Sequence, residues 1–112
     1  MTTRTGSQAD VKQLLDVFKA LANPVRLQVL QWLREPARHF PVERAIADPV
    51  EVGVCVTHIR EKAGLAQSTV SAYMAELQRA GLVRATRVGK WTYYQRDEAR
   101  IAELVATLGR SL

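Results

Sequence analysis

Apolar residues recur at helical spacing in several stretches of the chain, and polar punctuation separates them. Val11, Leu14, Leu15, Phe18 and Leu21 form the first stripe, which stops at Ala22-Asn23-Pro24. Asn23 suits an N-cap because its side-chain oxygen can accept from a backbone N–H left free at a helix start. Pro24 at the first helical position loses nothing by lacking its own N–H. A second helix therefore begins there, carries Leu27, Val29, Leu30, Trp32 and Leu33, and ends near Glu35-Pro36. Val70, Met74 and Leu77 make another stripe, which turns Gln67, Ser68, Thr69, Ser71, Ala72 and Gln78 outward. Gly81 stops this helix in a left-handed turn, and the alternation that starts at Leu82 and Val83 predicts a hairpin turning at Val88-Gly89-Lys90. Ile101, Leu104, Val105 and Leu108 give a last stripe, in a helix from Asp97 to about Leu108.

The remaining segments are less regular. Residues 1–8 read as a flexible leader to a single domain over 9–112. Pro36 to Val50 holds three prolines and no steady period, which predicts an ordered but irregular loop. Val52 to Val56 is a short strand expected beside the hairpin, Thr57 is placed to cap a helix from His58 to Ala63, and Gly64 ends that helix. Two helices joined by Gly64-Leu65-Ala66 and followed by a basic hairpin make a winged helix-turn-helix, mainly α with a β-hairpin wing and about five helices in all.

Charge placement sharpens this picture more than the net value of +5 does. Between Leu77 and Arg96 stand five basic residues, Arg79, Arg84, Arg87, Lys90 and Arg96, and no acidic one; elsewhere eleven basic residues balance eleven acidic. A basic run confined to the end of a recognition helix and its hairpin is the electrostatic footprint of a phosphate-backbone binder. Charge runs can also be no more than solvated surface. At 112 residues the chain has room for one domain with a modest core, and 47% apolar with 24% charged residues is an ordinary globular balance. No apolar run approaches the ~20 residues that cross a bilayer, and the first residues lack the apolar core of a signal peptide, so no membrane partner and a cytoplasmic location are expected. The single cysteine, Cys55, leaves no pairing within the chain and fits a reducing compartment.

Three stretches together carry a resemblance to the ArsR/SmtB family of bacterial winged helix-turn-helix repressors. Phe18-Lys-Ala-Leu-Ala-Asn-Pro-Val-Arg-Leu-Gln-Val-Leu30 resembles the junction of the family's first two helices. Gly64-Leu-Ala-Gln-Ser-Thr-Val-Ser71, with Leu77 and Ala80-Gly-Leu-Val83, resembles its recognition helix, and Arg87-Val-Gly-Lys-Trp-Thr-Tyr-Tyr94 its wing. The resemblance spans roughly residues 11 to 108. It implies a homodimer through the N- and C-terminal helices that binds double-stranded operator DNA and blocks transcription until an effector releases it. The residues independently ask for such a dimer. The stripes of Leu14, Leu15 and Phe18 and of Ile101, Leu104, Val105 and Leu108 exceed what a three-helix motif and a hairpin can cover.

The same resemblance places Gln67, Ser68, Thr69, Ser71 and Tyr73 where side chains reach base edges or nearby phosphates. Gln67 is the specificity candidate, because its amide can pair with adenine through two bonds. Ser68 is equally suited to helix capping and Tyr73 to partial burial. Ala66 stands where the family often has a serine, so the capping contact passes to a neighbour, and Ala72 can touch only a thymine methyl. Arg79 is expected at phosphates and Arg87 and Lys90, flanking the turn of the wing, at phosphates or the minor groove, while Trp91, Tyr93 and Tyr94 are expected to pack the hairpin on its helices.

In the family that the chain resembles, many members sense metals through cysteine pairs on the third helix or through Asp and His on the fifth. Here the first pattern reduces to Cys55-Val56-Thr57 with His58 following, and the last helix has no histidine. Tetrahedral zinc wants four ligands, and Cys55, His39 and His58 are all the thiol and imidazole there is. Neither a metal nor any other cofactor is expected, and Cys55 with His58 is the possible sensor, oxidative in one reading and an intersubunit metal site in another. For Cys55 itself the favoured reading is a small buried packing residue on a strand. Without a phosphate loop, paired carboxylates on a shared face or a Ser or Asp partner for either histidine, an enzyme is the weakest class. A winged-helix module for an acidic protein partner is the alternative to a DNA-binding regulator, and the groove-type polar residues at 67–71 argue against it.

Overall fold

The computed structural model describes residues 6–41 and 52–112, with side chains from Gln8 onward. Within these, helix α1 spans Gly6–Leu21, α2 Pro24–Arg34, α3 Pro36–His39, α4 Val56–Ala63, α5 Gln67–Arg79 and α6 Glu98–Ser111. Strands β1 (Val54–Cys55), β2 (Val83–Val88) and β3 (Trp91–Arg96) form an antiparallel sheet of order β1-β3-β2. Helix α1 therefore starts inside the segment expected to be a leader. Residues 1–5 of that leader and 42–50 of the expected loop lie outside the described residues.

Asn23 caps α2 as its chemistry dictates, its Oδ1 accepting from the amides of Val25 at 2.9 Å and Arg26 at 3.0 Å. The start of the expected loop is instead one helical turn. Pro36 supplies a first position whose φ is already helical, the Phe40 N–H donates to its carbonyl at 2.9 Å, and the Phe40 ring packs edge-on against Trp32. Helix α4 begins at Val56 rather than His58, and Cys55, which makes no side-chain cap bond, is its N-cap. Burial of Val56 and Ile59 fixes that start, so Thr57 sits inside the first turn instead of capping it. Gly53 at φ +115° lets the chain enter β1: a Cβ there would stand 2.5 Å from the Tyr94 carbonyl oxygen. At the other end of α5, Gly81 at φ +83° closes the helix, with the Leu82 N–H donating to the Leu77 carbonyl at 3.0 Å.

The core gathers Val17 and Ala20 of α1, Val29, Leu30 and Leu33 of α2, Ile59 of α4, Val70, Met74 and Leu77 of α5, and Tyr94 of β3. It divides the two expected interface stripes. Leu14 and Leu104 are 8% and 5% exposed within one protomer, so little of either remains for a partner to cover. Residues one and four positions away point elsewhere, since each step along a helix turns the side chain by about 100°. Val11, Leu15 and Phe18 on α1 are 55%, 51% and 45% exposed, and Val105 on α6 is 63% exposed. Ile101 and Leu108 are half-buried, Ile101 against the core.

Candidate nucleic-acid interface

Helices α4 and α5 meet across a short turn and bury Ile59, Val70, Met74 and Leu77 between themselves and the core, which leaves the opposite face of α5 free. Gln67, Ser68, Ser71 and Ala72 are exposed on that face, with Thr69 and Tyr73 half-buried along its flank. Ala66 is the N-cap and no side chain caps the helix, so the expected passing of that contact to a neighbour, Ser68 included, does not occur. The first amides of α5 thus lack a side-chain cap, and exposed Ser68 stands in the same turn; an uncapped helix start of this kind can take an anion.

Tyr73 is held from behind. The Arg26 guanidinium lies 5.2 Å from the centre of its ring, while its Nε and Nη2 donate to the carbonyls of Ala20 at 2.7 Å and Lys19 at 3.1 Å. Arg26 thereby ties the end of α1 to the recognition helix, a role that its place three residues after the Asn23 cap does not announce.

The basic run is smaller in effect than its count. Arg79 pairs with Glu76 one turn earlier, and Arg96 with Glu98 at 2.9 and 3.1 Å, so acids just outside the run engage its two ends. Arg84, Arg87 and Lys90, all exposed on the wing, have no acidic partner among the described residues. Arg87 steadies the turn by donating from Nε to the Gly89 carbonyl at 3.2 Å.

Every residue of β2 after Val83 is exposed, because the hairpin projects past the helices. Tyr93 and Tyr94 pack as expected, but Trp91 lies beyond the helices' reach and is 39% exposed, with Lys90 Nζ 5.4 Å from its ring centre. Burial pushes the Tyr93 phenol above its ordinary 10.0, with the Cys55 thiol adding to the effect, and burial alone pushes Tyr94 the same way.

Cys55 is half-buried where β1 becomes α4 and sits opposite Tyr93 in the ladder; His58, also half-buried, follows in the first turn of α4. Among the described residues, no three His, Cys, Asp or Glu side chains gather as a metal ion would need. No helix among them is long and apolar enough to cross a membrane.

No protein-family profile matches the chain. It is 53% identical over 90 residues to the HTH-type transcriptional regulator YbzH of Bacillus subtilis, spanning 80% of this chain and 89% of that one. It is 36% identical over 88 residues to a probable mercury resistance operon repressor of Streptomyces lividans, spanning 79% of this chain and 58% of the other. The homodimeric winged helix-turn-helix DNA-binding domain Mb0332 of Mycobacterium bovis, a possible ArsR-family transcriptional regulator, superposes with a TM-score of 0.65 at 31% identity, covering 96% of this chain and 88% of that one. These relatives are transcriptional regulators rather than enzymes. By sequence and by overall fold the chain belongs to the ArsR family of DNA-binding winged helix-turn-helix transcriptional regulators.

Proposed function

We propose that the protein is a homodimeric repressor that holds double-stranded operator DNA through α5 and the wing and releases it when an effector acts. The observation that carries this is the uncapped, polar start of α5 beside a wing whose Arg84, Arg87 and Lys90 face no acid among the described residues. In this reading Gln67 pairs with an adenine edge, Ser68, Thr69, Ser71 and Tyr73 hold nearby phosphates or bases, and Arg87 and Lys90 meet the backbone from the wing. Arg79 contributes less, since Glu76 already neutralises it. The dimer forms through Val11, Leu15 and Phe18 of α1 with Val105, Ile101 and Leu108 of α6, and the homodimeric state of the Mb0332 domain supports it. Two-fold symmetry then sets the recognition helices about one DNA turn apart, over a near-palindromic site.

For the signal, oxidation of Cys55 or an unidentified ligand is favoured over a metal. Adding oxygen to a half-buried thiol at the joint of β1 and α4 disturbs the helix that supports α5. The name of the Streptomyces relative favours a second reading, a metal site shared between subunits through Cys55 and His58. The test selects bound fragments from the source genome with purified protein, then follows binding by fluorescence anisotropy across a salt series. Wild type and Cys55→Ser are compared under reductant, mild peroxide and added zinc. Steep salt dependence with Cys55-dependent loss under peroxide is the expected result. Salt-independent binding overturns the DNA reading in favour of a protein-interaction module, and Cys55-dependent loss under zinc alone exchanges the oxidative signal for the metal one.

A further inference from the structure

The far end of the hairpin has an unusual composition. Trp91 opens β3 directly opposite Val88, the last residue of β2, and the two are 39% and 37% exposed. Opposed residues of an antiparallel ladder point to the same face, so they form one apolar knob. Cations flank it. Lys90 Nζ lies over the indole, Arg84 stands on the same sheet face as Val88 and Trp91 by strand alternation, and Arg87, turned to the opposite face, brackets the turn. No acidic residue lies on the hairpin.

A cation-flanked apolar knob repels a second copy of itself and fits a surface whose apolar walls run between rows of negative charge. The minor groove of DNA is such a surface, ~6 Å wide with sugar walls between two lines of phosphate. We propose that Trp91 is a specificity-determining residue, an aromatic wedge with which the wing probes the minor groove. Its edge and Val88 rest on the sugars while Lys90 and Arg87 meet the flanking phosphates. An exocyclic amino group on the groove floor, as guanine carries, obstructs the indole, so the wing adds a preference for A·T pairs that the recognition helix does not supply. This role rests on the operator-binding reading above.

The chain's two tryptophans, Trp32 and Trp91, make the test direct. Trp32 packs between Phe40 and Lys62, and Trp32→Phe leaves Trp91 as the sole indole emitter. On operator binding its emission should shift to the blue and its quenching by acrylamide should fall. Trp91→Ala should weaken binding by about tenfold with an unchanged salt slope, because an apolar contact releases no counterion. Trp91→Phe should recover part of the loss, and equal melting temperatures of these variants and wild type exclude a folding effect. Replacing adenine by 2,6-diaminopurine under the wing adds an amino group in the minor groove and leaves the major-groove pattern intact. That change should weaken wild type and leave Trp91→Ala untouched. Wild-type affinity in Trp91→Ala, an emission that DNA does not move, or an equal diaminopurine penalty in both proteins overturns the proposal and leaves operator binding standing. A blue shift that follows protein concentration without DNA also overturns it, assigning the knob to self-association. A wild type that selects no duplex overturns both readings together.

Discussion

Leu14 and Leu15 are neighbours in sequence, and the structure gives them opposite fates under one substitution. Leu15 is about half exposed, so covering the rest of it in a dimer contributes about 1 kcal/mol. A two-fold interface counts the residue twice, for about 2 kcal/mol per dimer before any charge is considered. Leu15→Glu also sets two carboxylates in an apolar seam, each costing at least about 1 kcal/mol. The dimer constant should therefore fall by roughly a thousandfold or more, while the protomer, in which residue 15 faces outward, keeps its fold. Leu14 is buried inside the protomer, and Leu14→Glu places an unpaired charge in the core at a cost of about 3 kcal/mol or more, a large part of a small domain's stability. Sedimentation velocity at micromolar concentration should show a dimeric wild type and a monomeric Leu15→Glu, with melts by circular dichroism separating a folded Leu15→Glu from an unfolded Leu14→Glu. Operator affinity should drop with the dimer, since one half-site remains for each head. A Leu15→Glu protein that sediments with wild type, or one that unfolds as Leu14→Glu does, refutes the reasoning.

Changing Arg84, Arg87 or Lys90 to alanine should each lower the slope of log affinity against log salt by about one, whereas Arg79→Ala should change it less because Glu76 already neutralises that charge; anisotropy titrations at several salt concentrations measure this. Gln67→Ala should flatten the preference between matched and mismatched operators more than it lowers affinity for unrelated DNA, as a competition titration would show. Gly53→Ala should destabilise the fold by about 3 kcal/mol or more, with a melting temperature at least ~10 °C lower, from both a strained positive φ and an overlap with the β3 backbone. Burial of Tyr93 and Tyr94 should make stability fall as pH rises above 10. The unfolded chain releases the Tyr93 and Tyr94 protons near their ordinary 10.0 while the folded protein holds them to higher pH, so Tyr93→Phe should make the alkaline decline shallower.

Periodicity located α2, α5, α6 and the hairpin because each buries a stripe at its own repeat, and local chemistry located Asn23 and Gly81 because those contacts close within a few residues. Features set by distant packing were less legible. Thr57 has the chemistry of a cap, but burial of Val56 two residues into the sheet–helix joint starts α4 earlier. Leu14 and Leu15 carry the same side chain, and only the position of α5 and α6 around α1 tells which one the protomer covers. Trp91 belongs to a strand whose aromatic neighbours Tyr93 and Tyr94 are buried, and only the length by which the hairpin overhangs the helices exposes it. The acid-free run was visible, but its pairing with Glu76 and Glu98 needed helix turns and strand ends fixed in space.

The joint at Cys55 has a mechanical consequence. The last residue of β1 is also the N-cap of α4, with no hinge between them, and β1 is zipped to the central strand of the wing. The base of the wing is therefore tied to α4, the helix that packs against the recognition helix. In the proposed dimer a change at this joint should tilt the base of the wing and α4 together, and so alter the separation of the two DNA-reading heads. An operator whose half-sites are moved apart by a base pair or two should mimic the signal in the absence of any effector.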